Sequence, residues 1–99
     1  MKIEHKHNKT KDDAYKAIDG FLDKLEEQYK DNIQNPSKKW NSSKDIMYFN
    51  LNAMGRKISG KIQLYDNLVV LEGKLPLLVK FFQKDLESKI KKELEKILS

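Results

Sequence analysis

A chain of 99 residues has room for one apolar core, since globular domains run to about 100–150 residues at the mode; residues 1–99 are read as one domain. The apolar fraction is 38% and the charged fraction 35%, a more solvated balance than most globular chains carry. The net charge is +5, yet all but one of the 20 basic residues are lysines, the exception being Arg56. Phosphate and base-edge contacts favour the arginine fork, so the charge is read as a solvated surface and no nucleic-acid partner is expected.

From the N-terminus, Ile3, His5 and His7 alternate with Lys2, Glu4 and Lys6. Period two predicts a short strand. Thr10 followed by Asp12 and Asp13 is a helix start, with a hydroxyl cap and two carboxylates at the positive end of the dipole. Ala14, Ile18, Phe21, Leu22, Leu25 and Tyr29 then recur at helical spacing, which predicts one helix to about Lys30. Gly20 interrupts that pattern, where either a close neighbour needs the space or the position is tolerated.

Asp31 to Lys39 is polar, contains Pro36 and is read as a loop. Met47, Phe49 and Leu51 alternate with Ile46, Tyr48 and Asn50, giving a second strand. A turn over Asn52 to Gly55 leads to a third, with Ile58, Gly60, Ile62 and Leu64 on one face. Tyr65-Asp66-Asn67 is hairpin chemistry, and Val69, Leu71, Gly73 and Leu75 mark a fourth strand. Pro76 ends it and can open a helix. From Leu77 the pattern Phe82, Leu86, Ile90, Leu94, Ile97 predicts a helix to the end. The fold class is therefore α+β, in the order β-α-β-β-β-α, with two amphipathic helices packed on one face of an antiparallel sheet.

Motifs with chemistry in them are few. Gly55 to Ile62 nearly spells a phosphate loop, but Ile62 stands where the magnesium-binding hydroxyl belongs and the segment reads as strand. Gly60 there is expected to let a helix or side chain approach the sheet. His5 and His7 share a strand face but lack further histidine or cysteine partners for zinc; one is expected to be half-buried and satisfied by a backbone group near Asn8 or Thr10. Asp12-Asp13 and Glu26-Glu27 point about 100° apart on a helix and do not converge on a substrate. There is no legible Ser/His/Asp set. The sequence therefore predicts no enzyme, no catalytic residues, no cofactor and no metal. The absence of cysteine suits a reducing compartment. With neither an apolar leader in residues 1–7 nor a run long enough to span a bilayer, a cytoplasmic protein without a transmembrane segment is expected.

The most informative stretch runs from Leu75 to Phe82, which carries one charge, Lys80. Leu77, Leu78, Val79, Phe81 and Phe82 cover more than one helix face, whereas a two-layer fold buries only a stripe. One expectation is that the helix start is covered within the chain. The others are that it meets a second copy in a homodimer, or an apolar ligand or surface. Leu77, Leu78, Phe81 and Phe82 are the candidate contact residues. Trp40 is read as a core lid or as the mouth of a small apolar groove beside the same helix.

These features recur together in a known family. They are His7 closing the first strand, Ala14 and Ala17 in the first helix, Trp40 before the second strand, and Gly55-x4-Gly60-x-Ile62. Val69-Val70-Leu71 and Gly73-Lys74-Leu75-Pro76 follow, then a closing helix with Leu86-x3-Ile90-x3-Leu94. In this order they resemble the small bacterial polyhydroxyalkanoic acid system proteins, over almost the whole chain. The resemblance implies a cytoplasmic accessory protein of storage-polyester granules, with the granule surface or granule proteins as partners. It carries no catalytic residues with it. The arrangement also resembles a reduced START-like lipid-binding fold, whose long C-terminal helix lies across an antiparallel sheet, and this fold-level likeness adds a small acyl or lipid ligand as the alternative occupant.

Overall fold

The computed structural model describes the backbone of residues 1–99 and all side chains except those of Leu77 and Leu78. Strand β1 (Lys2–Lys6) is followed by helices α1 (Lys11–Asp19) and α2 (Phe21–Gln28). Strands β2 (Ile33–Trp40), β3 (Ile46–Ala53), β4 (Arg56–Leu64) and β5 (Leu68–Lys74) come next, then helices α3 (Leu77–Lys80) and α4 (Gln83–Leu98). The five strands form one antiparallel sheet in the order β1-β5-β4-β3-β2. β2 to β5 are a meander, and β1 closes the far edge against β5.

The first helix starts as its sequence requires: the Thr10 hydroxyl accepts from the Asp13 N–H at 3.1 Å. It does not run unbroken to Lys30. Gly20, at φ −93° and ψ 0°, separates α1 from α2. A Cβ placed at Gly20 would meet only its own chain, Ala17 O at 4.0 Å, so no neighbour demands the glycine. The closing helix is also divided, with Phe81 and Phe82 as a turn between α3 and α4.

The segment expected as a loop, Asp31 to Lys39, is largely strand. β2 pairs Ile33 with Ala53 and Gln34 with Asn52, then slips register before Ser37 meets Asn50. Asn35 takes φ 53° inside that bulge, which accommodates Pro36 at an edge where its missing N–H leaves no ladder partner unsatisfied. The slip also changes which residues face inward. Ile33 lies opposite Ala53, while Lys38 and Trp40 lie opposite Phe49 and Met47. No single alternation runs through the segment, so a period-two reading misses it.

The β3–β4 connection is a two-residue hairpin, Met54-Gly55, with φ 56° and 74°. Both residues at positive φ is the type I′ turn that matches strand twist. By contrast, Asp66 and Asn67 between β4 and β5 do not take positive φ; Tyr65 N–H donates to Leu68 O at 2.8 Å and closes that turn. Asn41 organises the β2–β3 connection, its Oδ1 accepting from Asp45 N–H at 3.0 Å and Ile46 N–H at 3.1 Å.

The core lies between one sheet face and the helices. Ile3, Met47, Phe49, Leu51, Ile58, Ile62 and Leu71 meet Ile18, Phe21, Leu25, Ile90 and Leu94 in a continuous buried cluster. Gly60 sits where the sheet is tightest. A Cβ there would fall 2.1 Å from Glu72 O, 2.9 Å from the Gly73 Cα and 3.0 Å from the Phe49 ring. The neighbours that need the space are therefore strand β5 and one aromatic side chain.

Candidate functional site

Three features of the surface stand out, each built by a different part of the fold. The first lies at the tip of the β3–β4 hairpin. Phe81 is 79% exposed, Phe82 50% and Met54 48%. Together with Val79 and Arg56 they line a cavity of about 380 Å³. Val79 is buried and anchors α3 to the body. The Phe82 N–H donates to Val79 O at 2.9 Å and Phe82 O accepts from Leu86 N–H at 3.1 Å, so the turn bearing the two aromatic rings is fixed at both sides. Met54 is a non-glycine residue held in the left-handed region, where asparagine or glycine is the favoured turn residue. Lys80, Lys84 and Asp85 border the rings.

Of the sequence-predicted contact residues, Phe81 and Phe82 are thus together and exposed. Leu77 and Leu78 belong to α3, but their side chains lie outside the described residues. Trp40 is elsewhere. It pairs with Met47 at the start of β3, about seven residues and therefore about 23 Å along the strand from Met54. Its indole Nε1–H donates to Asp19 Oδ1 at 2.9 Å, and its ring packs on Tyr15 with centroids 4.6 Å apart. Lys38 Nζ joins Asp19 Oδ1 at 2.8 Å. The lysine hydrogen bond, with that of Trp40 behind it, holds the Asp19 carboxyl below the usual carboxylate range. Trp40 thereby fastens the outer edge of the sheet to α1, the lid role. Met54 was not anticipated as a partner of the aromatic pair; only its place beside Gly55 in a predicted turn hinted at exposure.

The second feature is a trough of about 880 Å³ on the sheet face opposite the helices. One of its walls is the cross-strand row Lys39, Tyr48, Lys61, Glu72 and Lys2. The other is the row Ser37, Asn50, Ser59 and Lys74. Between them, Phe49, Gly60 and Gly73 turn their side-chain positions inward. These lysines are dispersed along the chain; the strand register gathers them.

The third feature is a cleft of about 480 Å³ lined by residues including His5, His7, Lys9, Glu95 and Leu98. His7 is 6% exposed. Its Nδ1 accepts from the Lys9 N–H at 3.1 Å, while its Nε2 has no hydrogen-bond partner among the described residues. The expected backbone partner near Asn8 or Thr10 is Lys9, between them. Burial first, then the charges of His5 and Lys9, push the His7 imidazole below its ordinary 6.5. Glu93 is a second buried polar residue, 3% exposed on the inner stripe of α4, with Oε2 unpartnered among the described residues. Among those residues no group of three or more His, Asp or Glu side chains is placed to hold a metal, and no helix is long and apolar enough to cross a membrane.

Architecture and surface together define an α+β protein: a five-stranded antiparallel sheet with amphipathic helices on one face, and an exposed aromatic turn between the last two. Over residues 1–98 the chain matches the family described as "Putative polyhydroxyalkanoic acid system protein", and it belongs to that family. No curated protein and no solved structure matches it.

Proposed function

We propose that this protein is a non-enzymatic accessory of polyhydroxyalkanoate storage that contacts the polyester granule, or proteins on it, through the aromatic turn at Phe81 and Phe82. One observation carries the reading: two adjacent phenylalanines on the fixed α3–α4 turn, and a strained methionine on the neighbouring β3–β4 hairpin, stand in solvent. Fully burying a Phe or Met side chain is worth about 1.5–3 kcal/mol, so a surface that covers all three would be held firmly. Leu77 and Leu78 would add area from the same helix start. Lys80 and Lys84 would stay at the wet margin, as on an interfacial helix. Such a protein would work in the bacterial cytoplasm, at the granule boundary.

The test is co-sedimentation of the purified protein with polyester granules. Phe81→Asp/Phe82→Asp removes the apolar turn at exposed positions and is expected to keep the native circular-dichroism spectrum while abolishing sedimentation. A folded double variant that still sediments with granules would sink the mechanism. Sedimentation velocity on the free protein separates the homodimer reading: a dimer dissociated by the same double substitution would assign the turn to a second copy. Native mass spectrometry of protein taken from cells would reveal the acyl-ligand alternative as a retained mass.

A further inference from the structure

We propose that the trough on the helix-free sheet face is a docking site for an acidic, extended polypeptide segment, with carboxylates at every third residue. Five lysines line the trough against one carboxylate, Glu72. Lys38 is engaged by Asp19, and Lys2 makes only a long, exposed contact with Glu4 at 3.7 Å. Among the described residues, Lys39, Lys61 and Lys74 have no acidic partner within 4.0 Å. Uncommitted cations along a concave surface focus the field and attract an anionic partner.

Spacing then selects the occupant. Lys39, Lys61 and Lys2 stand in one cross-strand row, on β2, β4 and β1, each two strands from the next. Neighbouring strands lie about 4.8 Å apart, so the three cations recur about every 10 Å across the sheet. A polyproline II segment advances about 3.1 Å per residue with three residues per turn. Every third side chain therefore returns to the same side after about 9.3 Å, close to the lysine period. The trough floor suits an extended chain, because the row of Phe49, Gly60 and Gly73 leaves backbone rather than side chains on this face, and the two walls are about 7 Å apart. Lys74, Ser59 and Asn50 on the second wall offer donors to the segment's carbonyls. Lysine without arginine fits carboxylate point charges better than the bidentate reading of phosphate and base edges, which makes nucleic acid the weaker occupant. The site shares no lining residue with Phe81, Phe82 or Met54, so it stands or falls independently of granule contact.

Fluorescence anisotropy at low ionic strength tests it, with a labelled peptide of Pro-Ala-Glu repeats as probe. The expected result is saturable binding that weakens with salt and is lost when the glutamates are replaced by glutamine. A peptide of the same composition with its glutamates clustered is expected to bind more weakly. Lys61→Gln/Lys74→Gln should weaken binding about tenfold, whereas Lys91→Gln/Lys92→Gln, which removes the same charge from the exposed side of α4, should leave it unchanged. No binding, equal loss in both double variants, or equal affinity for spaced and clustered peptides would overturn the proposal. So would tighter binding of a single-stranded thymidine oligomer or of phosphatidylglycerol vesicles than of the spaced peptide.

Discussion

The imidazole of His7 loses nearly all contact with water yet keeps one hydrogen bond, at Nδ1, from the Lys9 N–H. Accepting at Nδ1 places the proton of the neutral ring on Nε2. Protonation would put a charge in a buried position beside Lys9 and His5, which is why the folded-state pKa lies below 6.5. The unfolded chain then binds more protons than the folded one between that depressed value and 6.5. Stability is accordingly full above 6.5 and falls as the pH drops through this window. Urea midpoints measured across the window should decline for the wild-type protein. His7→Asn, which retains a short acceptor but does not titrate there, should flatten the decline; an equally steep slope in the variant would assign the effect to other groups. None of this was visible in the alternation of residues 2–7, which placed His7 on a face but gave no account of what lay above it.

At the scale of elements, three glycines differ in what a methyl group would meet. Gly60 is compressed between β5 and the Phe49 ring, and a methyl group there collides with backbone that cannot swing aside. Gly60→Ala is expected to destabilise by about 3 kcal/mol or more. Gly73→Ala meets the flexible end of Met1 at 3.2 Å and Ser59 O at an ordinary 3.9 Å and should be far milder, and denaturant titration of the pair checks the contrast. Gly20 has open space and a φ/ψ that alanine adopts. Gly20→Ala should raise stability by about 0.5–1 kcal/mol through the unfolded state and helix propensity, and a fall in the melting temperature would count against this reading. The sequence announced a special glycine at both Gly20 and Gly60, because both interrupt a pattern. It could not say which one is crowded, since crowding comes from β5, whose register is set by pairs distant in the chain. β2 shows the complementary limit: its bulge inverts the facing of Lys38 and Trp40 relative to Ile33, so local periodicity fails where tertiary pairing succeeds.

For the whole molecule, the three strands β3 to β5 and both amphipathic helical regions were legible because each repeats a short-range pattern, whereas β2 and the exposure of Phe81 and Phe82 were not. The order of the sheet, with β1 returning beside β5, was not, as it depends on contacts nearly the length of the chain apart. Phe81 and Phe82 could be named as surplus apolar residues from their number alone. The trough could not, because its lysines belong to four different strands. If the aromatic turn is the granule contact, the folded double variant Phe81→Asp/Phe82→Asp should lose granule binding while keeping its affinity for the acidic peptide. Loss of both activities together would mean that the two surfaces do not act separately.

The two rims of the sheet bear on what happens when many copies gather in a small volume. One rim, β1, has only five residues, with lysines at both ends; the other, β2, is broken by a bulge at Pro36 and carries Lys38 and Lys39. Short, charged, interrupted rims resist strand-to-strand polymerisation. If the protein gathers on a granule as proposed, a crowded population would therefore remain a layer of separate molecules instead of setting into fibres.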